Sequence, residues 1–157
     1  MWIERLLVRP LRAGDEPKVQ RMRKALWPDN SDEDNEHEVA AYVRGTPPEP
    51  LGGALFVCEL PDSGIVGFCE ASLRSYAEGC DPSRPVGYIE GWFVEPDHRR
   101  NGVGRALIQA CEQWARERGC EEMGSDAEID NTLSHRAHAA LGYEEVERIV
   151  CFRKKIT

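Results

Sequence analysis

A short glycine-containing segment joins a predicted strand to a long predicted helix, and it constrains the fold more than any other feature. Residues 86–94 form an apolar run that predicts a strand, which Pro96 ends. Residues 102–118 carry apolar side chains at helical spacing, and Gly119 ends that helix. The chain therefore contains a strand–loop–helix unit in which glycines open the helix.

The joining segment has the composition of a phosphate-binding loop. Amide groups at a helix N-terminus are unpaired and carry partial positive charge, and glycines let a phosphate approach the backbone. The pattern is neither GxxxxGK[ST] nor GxGxxG, which argues against a nucleotide triphosphatase and a dinucleotide-binding domain. The alternative is a glycine-bearing helix start with surface arginines. The candidate phosphate-binding residues are Arg99, Arg100, Asn101, Gly102, Val103, Gly104 and Arg105.

The rest of the chain alternates between strand and helix patterns. The predicted order is β-α-α-β-β-β-α-β-α-β, which indicates an α/β sandwich with a mixed sheet. The acidic stretch after Pro28 predicts a helix capped by Ser31 or Asp32. The other predicted strands are 3–9, 54–60, 64–74, 123–127 and a last strand or strand pair in 143–153, and the other helices are one running from 14–17 to Trp27 and one at 131–141.

Composition narrows the classes of protein. The 157 residues fit one domain, and the net charge of −8 lacks the basic footprint of a nucleic-acid-binding protein but permits a cationic ligand. No apolar run reaches the roughly 18 residues of a membrane span, and the N-terminus lacks a signal core, so we expect a cytoplasmic protein without a membrane partner. The six cysteines show no metal-binding spacing, and we expect reduced, mostly buried thiols and no metal.

The run Arg99-x-x-Gly102-x-Gly104, after a strand that ends in Phe93-Val94, resembles the acyl-CoA signature of the GNAT superfamily of N-acetyltransferases. The resemblance implies an α/β fold whose mixed, mostly antiparallel sheet is flanked by helices and has splayed central strands. It implies one acyl-CoA N-acyltransferase domain over 1–157 that uses acetyl-CoA. The loop amides would bind the CoA pyrophosphate, and the backbone of Phe93 and Val94 would pair with the pantetheine arm.

A second motif, from Asn131 to Tyr143, is similar to a later motif of that superfamily. There an Asn at the helix start is followed seven residues later by a Tyr that protonates the departing CoA thiolate in many members. Here His138 stands at that position. An imidazole can donate a proton or a hydrogen bond to sulfur, and the alternative is a histidine that contacts CoA without a proton role.

Two acidic residues are candidates for binding the amine that accepts the acetyl group. Glu90 interrupts an otherwise apolar strand, and Asp126 lies at the end of the next predicted strand; the alternative for each is an edge-facing or salt-bridged acid. Leu26-Trp27-Pro28, Ser72 to Tyr76, Tyr88 to Val94, and Met123 to Asp126 resemble the aminoglycoside 6'-N-acetyltransferases. The resemblance implies an often dimeric protein whose pocket is lined by Trp27, Tyr76, Glu90, Asp126 and Glu145, to which Asp32, Glu33 and Glu36 can add.

These patterns predict acetyl transfer from acetyl-CoA to the 6'-amine of an aminoglycoside, and hence antibiotic resistance. The amine would attack directly, Glu90 would receive its proton through water, and His138 or a nearby hydroxyl would stabilise the thiolate. Two alternatives stay open: a GNAT enzyme for another amine, such as a polyamine, a protein N-terminus, a lysine or a metabolite, and a non-catalytic acyl-CoA-binding module.

Overall fold

A computed structural model describes residues 5–157 of the chain. Ile3 and Glu4 of the predicted first strand lie outside the described residues. The chain divides into two compact units, Met1–Ser125 and Asp126–Thr157, which are described separately. The elements are β1 (Leu7–Pro10), α1 (Glu16–Leu26), α2 (Asp32–Arg44), β2 (Gly53–Leu60), β3 (Gly64–Arg74), β4 (Val86–Val94), α3 (Val103–Arg116), β5 (Met123–Ser125) and α4 (Thr132–Ala140).

The first unit contains a five-stranded sheet in the order β1-β2-β3-β4-β5. The first four strands are antiparallel to their neighbours, and β5 alone runs parallel to β4. The parallel pairing starts at Gly87 and Met123 and ends at Ile89 and Ser125, although β4 continues to Val94. Strands β4 and β5 therefore separate about halfway along β4. The predicted mixed, mostly antiparallel sheet with splayed strands is confirmed.

Helices α1 and α2 cover one face of the sheet. Ser31 caps α2, since its side chain accepts a hydrogen bond from the Asp34 amide as predicted. The side-chain amide of Asn35 donates to the Gln20 carbonyl at 2.8 Å and ties the two helices together. The fully buried side chains beneath them form a core of Val19, Met22, Val39, Leu55, Val57, Ile65 and Phe68.

Helix α3 covers the opposite face. Phe68 packs in the α1–α2 core, so Gly67, its neighbour in β3, faces the other way. A Cβ on Gly67 would lie 3.1 Å from Leu107 and 3.3 Å from Val103, both buried residues of α3. The missing side chain lets α3 approach the sheet closely, and this approach positions the start of α3 beside the end of β4.

The second unit contains α4, which Asn131 caps by accepting a hydrogen bond from the Ser134 amide at 3.1 Å. Gly142, with φ of 89°, follows the helix as predicted. The predicted last strand or strand pair within 143–153 is wrong: residues 143–157 form no strand in the structure. The apolar spacing there favours an extended chain, but a strand also needs a neighbouring strand to satisfy its backbone groups.

Several predicted boundaries shift by one to four residues. Strand β1 begins at Leu7 and includes Pro10, which an edge strand tolerates because one side of its backbone needs no partner. Helix α3 ends at Arg116 rather than 118, and β5 ends at Ser125 rather than 127. Among the described residues, no helix has the length and apolar character needed to cross a membrane.

Candidate active site

A cavity of about 470 Å³ opens in the first unit, on the α1–α2 side of the sheet. Four of its lining residues are glutamates and one is an arginine, so the lining is strongly acidic. Such a cavity concentrates cations, because opposing walls of one charge sign reinforce each other's field. The lining residues are Arg23, Trp27, Asn30, Glu38, Pro48, Glu49, Pro50, Glu70 and Glu90.

Glu90 reaches this cavity because it is the extra residue of a β-bulge. Glu70 of β3 pairs with Gly91, and the next residue, Ala71, pairs with Ile89, so Glu90 has no partner across the ladder. A bulge interrupts the alternation of side chains along a strand. Glu90 and Gly91 consequently both face the α1–α2 side, which regular alternation does not allow.

The carboxylate of Glu90 is held by two residues of the neighbouring strand. Arg74 donates from Nε to Oε1 at 2.9 Å and from Nη2 to Oε2 at 2.7 Å, and Ser72 donates its hydroxyl to Oε1. The Arg74 guanidinium also lies 3.5 Å from the centroid of the Tyr88 ring. The bidentate contact with Arg74 fixes the orientation of the Glu90 carboxylate and partly neutralises its charge.

Trp27, which follows α1, forms a flat wall next to Glu90. A Cβ on Gly91 would lie only 2.4 Å from the indole, so glycine is required for the ring to rest on β4. The indole also packs edge-on against Phe68, with centroids 6.4 Å apart, and the Arg23 guanidinium lies 5.2 Å from its centroid. An aromatic face beside a carboxylate suits the apolar face of a sugar and a nearby ammonium.

Arg23 and Glu70 are ionisable side chains deep in the cavity. Arg23 Nε lies 3.1 Å from Glu70 Oε1, and Arg23 Nη2 also donates to Glu38. Burial nonetheless raises the pKa of Glu70 to about 8, because the loss of hydration, together with repulsion from Glu49, Glu38 and Glu90, outweighs the attraction of Arg23. Burial likewise raises the pKa of Glu49, which accepts a hydrogen bond from Tyr42.

Five charged residues of this region were not predicted from the sequence: Arg23, Glu38, Glu49, Glu70 and Arg74. For Glu70 the sequence did carry a signal, since it interrupts the apolar run of β3 as Glu90 interrupts β4. Arg23 and Glu38 look like ordinary polar positions of amphipathic helices. Only the packing of α1 and α2 on the sheet shows that they face the cavity.

Several residues predicted for the acceptor pocket do not line this cavity. The structure brings Trp27 and Glu90 together, whereas Tyr76 is not among the lining residues and donates its hydroxyl to Glu78 at 2.9 Å. The carboxylate that α2 contributes is Glu38 rather than Asp32, Glu33 or Glu36. Those three residues are exposed in the first turns of α2, where acids interact favourably with the helix dipole.

The backbone of the loop after β4 explains its glycines. Gly102 has a φ of 84° and stands at the N-cap of α3, so it adopts a left-handed conformation and has no side chain that could cap the first-turn amides. A Cβ on Gly104 would lie 2.9 Å from Trp92 of β4. The first glycine thus leaves the helix start open to an anion, and the second lets α3 pack against β4.

The arginines of this loop differ in their contacts. Arg99 turns back towards β4, where its Nε donates to the Val94 carbonyl at 2.8 Å and its guanidinium lies 5.7 Å from the Phe93 ring centroid. Arg100 has a φ of 65°, uncommon for a residue with a side chain. Arg99 therefore positions the end of β4 against the loop, while the exposed Arg100 and Asn101 follow it towards the helix start.

The predicted residues Asp126, Asn131, His138 and Glu145 belong to the second unit. His138 Nδ1 lies 2.8 Å from the Ser134 carbonyl oxygen, which can only accept, so Nδ1 carries the proton. In the neutral ring Nε2 is then the acceptor, and proton donation from Nε2 requires the imidazolium. Glu145 forms a salt bridge with Arg148, and this contact lowers the pKa of its carboxyl group.

Comparison with known proteins agrees with this geometry. The model of the acetyltransferase (GNAT) family matches residues 19–143. An aminoglycoside N(6')-acetyltransferase type 1 of Klebsiella aerogenes is 43% identical over 150 residues, which cover 96% of this chain and 97% of that protein. The corresponding protein of Salmonella typhimurium is 40% identical over 85% of this chain and 88% of its own length.

Solved structures give the same result. The aminoglycoside acetyltransferase AAC(6')-Iy, in complex with the bisubstrate analogue CoA-S-monomethyl-acetylneamine, superposes with a TM-score of 0.86 at 35% identity, over 97% of this chain and 99% of that one. The enzyme AAC(6')-Ih from Acinetobacter baumannii superposes with a TM-score of 0.83 at 30% identity, over 98% and 100% of the two chains.

The fold, the loop into α3 and the family match together define an acyl-CoA-dependent transferase: the chain belongs to the acetyltransferase (GNAT) family. The first relative named above is an aminoglycoside N(6')-acetyltransferase, and both it and the first solved structure match the chain over nearly its whole length.

Proposed function

We propose that the chain transfers the acetyl group of acetyl-CoA to the 6'-amine of an aminoglycoside and thereby confers resistance to these antibiotics. The observation that carries the proposal is the cavity in which Glu90 and Trp27 lie together among three further glutamates. Aminoglycosides are polycationic sugars, and such a lining supplies both affinity and fast association. The names of the relatives support the same acceptor class.

In this mechanism the acceptor amine attacks the thioester carbonyl, a C–N bond forms, and the C–S bond breaks. Glu90 receives the proton of the amine through water, and the departing thiolate takes up a proton. The proposed donor of that proton is Nε2 of the His138 imidazolium, since Nε2 of the neutral ring can only accept, or a nearby hydroxyl. No covalent acyl-enzyme is required.

The donor is proposed to lie along the loop after β4. Backbone groups of Phe93 and Val94 would orient the pantetheine arm at the point where β4 and β5 separate. The amides of residues 99–105 at the start of α3 would bind the pyrophosphate, because α3 has no acidic residue in its first turn and no side-chain cap. Asn131 and His138 complete the proposed donor contacts, while Tyr76, Asp126 and Glu145 remain proposed acceptor contacts.

The direct test is acetylation of tobramycin and kanamycin A with release of the CoA thiol. We expect thiol release with both compounds and an acetyl group on the 6'-nitrogen by mass spectrometry and NMR. A matched control is an aminoglycoside with a 6'-hydroxyl group in place of the amine, which should give no turnover. Turnover with spermidine or a peptide, and none with 6'-amino compounds, would contradict the proposal.

We also propose that the two units form one domain and that two copies of the chain form a homodimer. The GNAT family match runs across both units, from 19 to 143. The segment after α4 exposes a row of apolar side chains that a second copy would cover: Val146, Ile149, Val150, Phe152 and Ile156. Sedimentation analysis tests this, with Phe152→Glu and Ile156→Glu expected to shift the protein to monomer.

The proposed location is the cytoplasm, where acetyl-CoA is available as a co-substrate. The six cysteines are all free thiols in the structure, which suits a reducing compartment. Cell fractionation tests this location: recovery of the activity in a periplasmic extract would contradict it.

A further inference from the structure

The floor of the cavity contains a buried ion pair whose hydrogen bonds are incomplete. Glu70 and Arg23 are 3% and 2% exposed, and Glu70 Oε1 lies 3.1 Å from Arg23 Nε without hydrogen-bond geometry, while Arg23 Nη1 makes no hydrogen bond. Both side chains line the cavity. Buried polar groups are nearly always hydrogen-bonded in folded proteins, and this incompletely bonded pair is therefore the part of the lining that responds most strongly to the charge of a ligand.

The charges around Glu70 explain what kind of ligand suits it. The ionisable groups that face it are Arg23 from α1, Glu38 and Tyr42 from α2, Glu49 from the loop after α2, and Glu90 from β4. Three of these are carboxyl groups, and they oppose ionisation of a fourth at the bottom of the same cavity. Since the pKa of Glu70 is raised to about 8, the group is protonated in most empty molecules at pH 7.

An ammonium group in the cavity changes this balance. It attracts the carboxylate form of Glu70 and screens it from the other three carboxylates. Two or more ammonium groups do so more strongly, because one can contact Glu90 while another lies near Glu70 and Glu49.

We propose that Glu70 is a specificity-determining residue of the acceptor site, whose carboxyl group releases its proton to solvent when a polycationic amino sugar enters the cavity. The O–H bond of the carboxyl group breaks, the proton passes to the buffer, and the carboxylate pairs with a ligand ammonium. The cavity thereby selects acceptors that carry several ammonium groups. This inference rests on the proposed function, since it concerns the acceptor side of the same reaction.

The experiment is calorimetric titration of tobramycin into the full chain saturated with CoA, which prevents turnover. Binding heats in two buffers of different ionisation enthalpy give the number of protons exchanged. Comparing the wild type with Glu70→Gln isolates Glu70, because the protonation of the tobramycin amines is common to both. Glu38→Gln is the matched control, since Glu38 lies in the same cavity but is partly exposed.

At pH 7 we expect the wild type to release more protons than Glu70→Gln, as follows from the raised pKa of Glu70. At pH 9.5 the difference should nearly vanish, and Glu38→Gln should still release more protons than Glu70→Gln at pH 7, because it keeps the Glu70 carboxyl group. Equal proton release by the wild type and Glu70→Gln at pH 7 would overturn the inference.

A second measurement protects the test against misfolding of Glu70→Gln. Infrared difference spectra of the wild type alone should lose a protonated-carboxyl band when tobramycin is added at pH 7, and an unchanged band would overturn the inference. Acetylation of tobramycin is assayed on the same preparation. If tobramycin is acetylated but no proton is released, only the role of Glu70 is refuted. If tobramycin is neither bound nor acetylated, the proposed function is refuted, and this inference with it.

Discussion

The two halves of the candidate site are built in different ways. The proposed donor half is a short continuous segment, in which Gly102 and Gly104 set the backbone and the packing of the α3 start. The proposed acceptor half gathers side chains from α1, α2, a loop and two strands around one cavity. Its central carboxylate, Glu90, depends on a bulge that only the pairing of β3 with β4 creates.

This difference separates the tasks of the two halves. A loop of backbone amides recognises a feature shared by all acyl-CoA molecules, and it tolerates changes in most side chains. A cavity of charged side chains recognises one class of acceptor, and each carboxylate changes the ionisation of the others. Substitutions in one half should therefore leave the binding function of the other half nearly intact.

The largest effect is expected for Glu90→Gln. The amide keeps the size of the side chain but cannot receive the amine proton, so kcat/KM for tobramycin should fall by roughly 10²- to 10⁴-fold. The Kd for CoA, measured by calorimetry, should change less than twofold. A comparable loss of CoA affinity would break the separation between the two halves.

Gly102→Asp tests the donor half. It adds a negative charge where the pyrophosphate is proposed to bind, and the Kd for CoA should rise by roughly tenfold to a hundredfold. Gly102→Asn is the matched control, because Asn has nearly the same shape and tolerates the left-handed φ of 84°. If both variants bind CoA equally well, the charge at this position does not matter and the loop assignment is wrong.

Gly91→Ala tests the wall of the acceptor half. Its Cβ would lie 2.4 Å from the Trp27 indole, so the ring must move, at a cost of about 1–3 kcal/mol in the free energy of unfolding. The KM for tobramycin should rise while CoA affinity stays constant. Combining it with Trp27→Phe should restore part of the stability, and purely additive losses in urea unfolding would argue against this contact.

Glu70→Gln should change the pH dependence of stability, with no effect on CoA affinity. Because the pKa of Glu70 is about 8 in the folded chain, above its ordinary value, the wild type loses stability as pH rises towards 8 and no further above it. Gln cannot ionise, so the variant gains on the wild type by at most about 1.4 kcal/mol per pH unit in that window. Urea unfolding at pH 5, 6.5, 8 and 9 measures this, and a constant difference would refute the raised pKa.

Sequence patterns predicted the fold well where structure is local. The limits of β4 and the capping of α2 by Ser31 were predicted correctly, since an apolar run and a capping residue act over neighbouring positions. The strand in 143–153 was wrong, because strand formation depends on a partner that the local pattern does not reveal.

The same distinction between local features and features that depend on packing applies to the candidate site. The backbone of the donor loop follows from its own glycines, although the contact of Gly104 with Trp92 became visible only in the structure. Glu90 and Trp27 were predicted for the acceptor side, but Arg23, Glu49 and Arg74 were not. Their roles depend on the packing of helices on the sheet and on side-chain orientation, which residues distant in sequence determine together.

The bulge at Glu90 has a consequence for how such an enzyme can arise. The residues on both sides of Glu90 keep the faces that a regular strand would give them. If Glu90 were deleted, Tyr88, Ile89 and Gly91 would pair with consecutive residues of β3 and alternate between the two faces. A gene can thus gain or lose this carboxylate as a single codon without reversing any neighbouring side chain. In genetic terms, the carboxylate at position 90 is a one-residue insertion into an otherwise regular pair of strands.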